Sequence, residues 1–479
     1  NHEEDLFDDY ALEPLLPYKY SMVGPALASG DINNDGLDDF FVGNAAGKSG
    51  VLFTQNEDAK FVEMEGPWQK DFEQEDVAAV ISDFDNDGDN DLYVVSGGNK
   101  FQDHSDRLYL NTESGFIKAQ SSLPMKSIAG KSIAVGDFDK DGLNDIFIGG
   151  RNTPGKYPFP AKSMLLKNMG GENESLRFEN VTDDMAEGLN SIGMVTDATW
   201  ADIDGDTWDD LILTGEWMPV TIFKNDQGHL INMTEDYGLE DTQGWWYAVK
   251  SLDVDNDGDL DLVAGNLGLN YKYKSSDDSP FEVYSADFDE NGKNDIVLSY
   301  KKGDKEVPLR GRECSSQQVP AIGKRYSTYR EYAKADLSDI YGSGMLSKAL
   351  HYQAKTFAHC WFENEKGKFI KNHPLPIRAQ FSSVNAIEAI DYNGDEFTDL
   401  LLAGNLYQAE VETPRSDSGL GLVLVGSSQG FEVVAPEHSG LLIRGDIKAV
   451  SPIQLSGNRV GYLLGANNDQ LRLVELNKN

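Results

Sequence analysis

Aspartates at fixed spacing are the residues of this chain most able to do chemistry. Seven segments place oxygen side chains at positions 1, 3, 5 and 9 of a short loop. They are Asp31, Asn33, Asp35 and Asp39; Asp83, Asp85, Asp87 and Asp91; Asp137, Asp139, Asp141 and Asp145; and Asp202, Asp204, Asp206 and Asp210. Three more follow: Asp253, Asp255, Asp257 and Asp261; Asp287, Asp289, Asn291 and Asp295; and Asp391, Asn393, Asp395 and Asp399. Glycine holds position 6 in five copies, with Thr207 and Glu396 in the other two. Alternate residues of a tight turn can all point inward, and a hard cation such as Ca²⁺ takes six to eight oxygens. The position 7 carbonyls of Leu37, Asp89, Leu143, Trp208, Asp259, Lys293 and Phe397 are expected as further ligands. Up to seven structural calcium ions are therefore expected. Repulsion among three or four carboxylates would splay an empty loop, and the ion reverses that term.

The flanking elements decide which calcium loop this is. A helix–loop–helix site needs a bidentate Glu at position 12. Here position 12 is Val42, Val94, Ile148, Leu213, Ala264, Leu298 or Leu402. Strand-like runs lie on both sides, such as Val77–Ile81 before a loop and Leu92–Val95 after it, so each loop is expected to join a β-hairpin. A second hairpin follows most copies, as in Val51–Phe53 with Lys60–Val62 and Cys360–Phe362 with Lys368–Ile370. Four strands per repeat at this period predict an all-β propeller, each blade buried between its neighbours.

These loops, with Gly215-Glu-Trp-Met-Pro219, Gly244-Trp-Trp246, Gly265–Asn270 and Pro308–Cys314, resemble the FG-GAP/VCBS repeat proteins. That group includes the integrin α-subunit propeller, and the chain looks most like bacterial, Bacteroidetes-type VCBS-repeat surface proteins. The resemblance spans nearly the whole chain and implies one calcium-binding propeller domain over residues 1–479, used in adhesion or ligand binding. It favours seven blades. Loop starts at 31, 83, 137, 202 and 253 are regular, but those at 287 and 391 are not. Either one blade carries an insertion at about 301–356, or two blades share the interval and there are eight. Residues 325–355 read as helical. The last unit, 445–475, shows three strands, and its fourth is expected from Tyr18–Tyr20.

Composition narrows the partners. A formal net charge of -40 argues against nucleic acid. Weak calcium loops suit an extracellular or cell-surface protein, or the periplasm or outer membrane if bacterial. No 18-residue apolar run occurs, and the chain reads as a mature or excised part of a larger polypeptide. Cys314 and Cys360 could pair or stay free.

The face opposite the metal loops is where a glycan or a surface protein would be expected to bind. Its turns carry Arg151, Trp217 and Tyr407, and Trp245, Trp246, Arg310 and Arg312 complete the candidates. Burial between blades competes with ligand binding for the three tryptophans, and turn geometry competes for Asn44, Asn99, Asn266 and Asn405. Catalytic signals are few: no metalloprotease or phosphate-loop motif occurs, and Gly426–Gly430 matches a nucleophile elbow but lies between two strands. The expected role is non-catalytic binding. A polysaccharide lyase or hydrolase is the alternative, because rhamnogalacturonan lyases resemble calcium-loop propellers. Arg444-Gly-Asp446 looks like an adhesion tag, yet Asp446 also begins a decayed repeat.

Overall fold

Every aspartate loop sits in a hairpin of one fixed register. Position 9 opens the second strand and pairs with the residue just before the loop: Gly30 with Asp39, Ser82 with Asp91, Gly136 with Asp145 and Ala201 with Asp210. Leu252 with Asp261, Ala286 with Asp295 and Ile390 with Asp399 continue the series. Eight residues thus bridge two strands, and the turn bends through positive φ at position 4 in every copy, where Gly205 and Gly394 are the two glycines. The computed structural model describes residues 1–119, 121–124, 128–171 and 175–476.

The protein is an all-β propeller. Blade one is Leu27–Gly30, Asp39–Val42, Val51–Gln55 and Phe61–Met64, antiparallel and in chain order. Later blades begin with the strands Asp76–Ser82, Gly130–Gly136, Met194–Ala201, Ala248–Leu252, Val384–Ile390 and Asp446–Leu455. These seven first strands touch their neighbours in a closed cycle, with the last one back against the first. Second strands are buried along their length, as in Leu92–Val95 and Ile146–Ile148, because each is covered by a blade on both faces. Each fully buried Leu, Ile, Val or Phe contributes about 1.5–3 kcal/mol of transfer free energy.

Blade five is divided. Ala248–Leu252 and Asp261–Gly265 pair onward with Cys360–Asn364 and Phe369–Pro374. Between them the chain builds a separate four-stranded sheet from Phe281–Ala286, Asp295–Lys302, Lys305–Pro308 and Leu350–Ala354. The inserted structure therefore starts well before residue 301 and carries the sixth aspartate loop with it. Helices begin at Arg312 and end at Leu346. Residues 350–354 are a strand and not helix, because Tyr352 pairs with Val283 across the sheet. Local apolar spacing alone did not reveal that pairing.

The ring closes differently from the sequence expectation. Tyr18 bridges Ala409, and the Lys19 N–H donates to the Gln408 carbonyl at 3.1 Å, so Tyr18–Tyr20 adds no strand to blade seven. Blade seven has three strands. Closure is made instead by Ser29 Oγ with Ser451 Oγ at 2.7 Å and by the Gln454 N–H donating to Asp38 Oδ2 at 2.6 Å. The N-terminal segment crosses the face opposite the loops and joins the inserted sheet there. Leu16, Tyr20, Tyr157, Trp217, Trp245 and Phe281 share one hydrophobic core.

Candidate functional site

The loops repeat one hydrogen-bond scheme. The position 1 carboxylate accepts the position 5 and 6 N–H groups, as in Asp141 and Gly142 to Asp137 at 3.0 and 2.9 Å. Thr207 keeps that bond, to Asp202 Oδ2 at 2.8 Å, at a φ of 78° that a β-branched residue rarely adopts. Position 9 is the buried anchor. Asp145 Oδ2 accepts the Phe138 N–H at 3.2 Å and Oδ1 accepts the Asn168 N–H at 2.7 Å from the third strand. Burial is the main cause raising its pKa, to about 7 for Asp145, Asp210 and Asp261 and about 8 for Asp91.

Carboxylate oxygens gather in five loops. Asp83, Asp85 and Asp91; Asp137, Asp139 and Asp145; Asp202, Asp204 and Asp206; Asp253, Asp255 and Asp261; and Asp287, Asp289 and Asp295 each bring one oxygen within 4.8 Å of the others. Loops one and seven carry Asn33 and Asn393 at position 3. Asp139, Asp255 and Asp289 each present a buried Oδ1 with no hydrogen-bond partner. A buried acceptor without a donor costs free energy, so an all-oxygen set of this kind fits a hard cation. Lysines approach two of the loops. Lys167 Nζ contacts Asp139 and lies 3.0 Å from Asp141 Oδ2, and Lys224 Nζ contacts Asp204 and lies 2.7 Å from Asp206 Oδ2. In loop seven the Gly394 N–H donates to Asp391 Oδ1 at 2.7 Å, as the position 4 N–H does in loops four and five.

On the opposite face the candidate ligand residues are mostly internal. Trp245 and Trp246 are fully buried and Trp217 nearly so, with Trp217 Nε1 donating to Tyr157 Oη at 2.7 Å and Trp246 Nε1 to the Thr242 carbonyl at 2.9 Å. Arg151 is buried and donates to Glu216 Oε1 at 2.5 Å and to Tyr18 Oη at 2.6 Å. Tyr18 and Tyr20 hydroxyls also donate to Glu216. Arg310, equally buried, pairs with Glu410 at 2.6 Å. Arg312 donates from Nη2 to the Gly323 carbonyl at 2.9 Å, near the C-terminus of the helix Pro320–Arg325. Tyr407 is half-buried beneath Arg415, whose guanidinium lies 4.6 Å from the ring centre. Asn99, Asn266 and Asn405 are buried and bonded to other segments: Asn99 Nδ2 donates to Asp9 Oδ1 at 3.1 Å, Asn266 Oδ1 accepts the Trp245 N–H at 3.1 Å, and Asn405 Nδ2 donates to the Gly445 carbonyl at 2.7 Å.

Other sequence signals resolve structurally. Gly426–Gly430 is the turn between Leu422–Val425 and Glu432–Val433, and Asp446 is buried against Lys448. Cys314 and Cys360 are both free thiols. Sequence reasoning missed the asparagines that end third strands, although Asn111, Asn168, Asn225 and Asn364 recur at one place in the repeat.

Three regions, residues 31–94, 83–148 and 192–264, match the FG-GAP-like repeat family. The chain carries FG-GAP-like repeats. No curated protein matches it in sequence. Among solved structures, it is similar to the V. cholerae biofilm matrix protein Bap1 at 10% identity and a TM-score of 0.39, covering 98% of this chain and 87% of that one. It is similar to the Dos1 propeller at 9% identity and a TM-score of 0.40, covering 96% and 93%. The repeat matches fall on the hairpins that hold the first five aspartate loops, each with a buried position 9 carboxylate.

Proposed function

We propose that this FG-GAP-like repeat protein is a seven-bladed, calcium-stabilised propeller that works outside the cytoplasm as a non-catalytic binding module for a glycan or a surface protein. The observation that carries the metal reading is the buried, unpartnered Oδ1 at position 3 of three loops, each set among carboxylates. Calcium at about 10⁻⁴–10⁻³ M, the range for extracellular modules, would load such sites outside a cell. Binding a metal only in the folded state stabilises a protein by about 2.7 kcal/mol per site at a hundredfold excess over Kd. The ions would fix the turn between first and second strands, leaving the blades as a rigid platform. Rigid platforms suit recognition, because little ordering entropy is lost on binding.

Calorimetric titration of chelator-treated protein with Ca²⁺ tests the metal reading. Several equivalents and a higher melting temperature are expected; no heat and no shift would refute it. Glycan arrays and pull-downs on the calcium-loaded chain then test the binding role, and silence in both would remove it.

A further inference from the structure

The seven first strands surround an axial chamber of about 330 Å³. Its wall contradicts the rest of the molecule in charge. The chain is strongly acidic, yet Lys19, Lys131, Arg151, Lys250 and Lys448 line the chamber against two carboxylates, Asp197 and Glu388. Three of those cations are matched: Arg151 by Glu216 at 2.5 Å, Lys250 by Glu388 at 3.1 Å and Lys448 by Asp446 at 2.8 Å. Asp197 accepts the Ala198 and Val249 N–H groups, both at 2.9 Å. Among the described residues, Lys19 and Lys131 have no carboxylate within ion-pair distance.

Lys131 is the more telling of the two. Its Nζ donates to the Val23 carbonyl at 3.2 Å, and the neighbouring Ser132 Oγ is buried with no hydrogen-bond partner. Burial first, then Arg151 and Lys448, push the ammonium down to about 7. Lys131 is only partly exposed and has no carboxylate in ion-pair contact, with Asp197 and Glu75 acting from farther away, and an anion entering the chamber would offset the cost of that desolvation. The wall also offers acceptors to hydroxyl groups in Asp197, Glu388 and Tyr18 Oη. The volume lies at the lower end of the range of about 300–1,000 Å³ for small-molecule sites, which suits one or two sugar rings.

We propose that the axial chamber binds a carboxylate-bearing sugar unit, a uronate, with the carboxylate on Lys131 and ring hydroxyls on Asp197 and Glu388. The proposal rests on the glycan-binding reading above and names the class of glycan.

Calorimetry and thermal shift on the calcium-loaded full chain test it, using glucuronate and galacturonate beside glucose, galactose, acetate and phosphate. Saturable uronate binding with no response to the neutral sugars is expected. Lys131→Met should weaken it by about tenfold or more while the ligand-free melting temperature holds or rises, since an unpaired, partly buried charge has gone. In the unaltered protein, uronate should protect Lys131 from reductive methylation, a readout independent of any variant. Equal binding of neutral sugars, an unchanged Lys131→Met affinity, or no protection would overturn the proposal. An equal response to acetate or phosphate would also overturn it and leave a simple anion site. Uronates that fail while another glycan or a protein binds would sink the chamber and spare the binding module.

Discussion

Asn168 Nδ2 donates to the Phe84 carbonyl at 2.8 Å, so the third strand of one blade holds the aspartate loop of the blade before it. The same side-chain bond recurs from Asn111 to Ile32 at 2.7 Å, Asn225 to Phe138 at 2.8 Å and Asn364 to Ile203 at 2.9 Å. In each case the asparagine's own N–H donates to the position 9 aspartate of its own blade. Loop, anchor carboxylate and neighbouring blade are therefore one connected network.

Breaking one link should be felt globally. Asn168→Ala leaves the Phe84 carbonyl without its donor, a loss of about 1–3 kcal/mol when the group is buried. Urea unfolding monitored by tryptophan fluorescence checks this. A midpoint unchanged from the unaltered protein would mean that the blades do not rely on these bonds.

The loops were legible from sequence because each is local: the oxygen side chains, their spacing and the apolar position 12 all lie within a dozen residues. Asp39, Asp91 and Asp399 thus sit where the repeat pattern puts them. The insertion was not legible, because pairing Val283 with Tyr352 depends on residues far apart in sequence. Nor was the destination of Tyr18, which bonds Glu216 across the face rather than extending blade seven. From sequence Arg151 reads as a ligand residue, and Trp245 leans to burial between blades. Only the packing of the N-terminal segment and the inserted sheet places them inside.

Trp245 is wholly buried among Tyr18, Trp217, Tyr273, Phe281 and Phe357. Trp245→Ala should therefore cost about 3–5 kcal/mol, the range for emptying a large aromatic site. Denaturant unfolding measures it. A near-neutral change would show that the inserted sheet does not cover this face in solution.

Lys224 occupies space that a metal ion would contest, since its ammonium lies against Asp204 and Asp206. Lys224→Met should tighten Ca²⁺ binding at the fourth loop by several-fold, up to about tenfold, because a competing cation has been removed. Calorimetric titration of both proteins under identical salt is the check. Weaker binding in the variant would make Lys224 a support for the loop and not a competitor.

His359 gives the fold a pH dependence that can be isolated from the carboxylates. It is fully buried, with Nδ1 accepting the Asn266 N–H at 2.7 Å and Nε2 donating to the Ser382 carbonyl at 2.9 Å, so the ring is neutral. Burial lowers its pKa from 6.5 to about 4. Between those values the unfolded chain binds a proton that the folded chain refuses, so stability falls as pH drops from about 6.5 toward 4. At about 1.4 kcal/mol per unit the loss approaches roughly 3 kcal/mol at the lower end. His359→Asn can keep an acceptor for the Asn266 N–H and cannot titrate. With saturating calcium in both samples, the unaltered protein should lose unfolding midpoint more steeply than the variant across that window. Parallel curves would mean that His359 protonates as readily in the folded chain as in the unfolded one, so that Nδ1 is not held by the Asn266 N–H in solution, and that the acid sensitivity of the fold lies in its carboxylates alone.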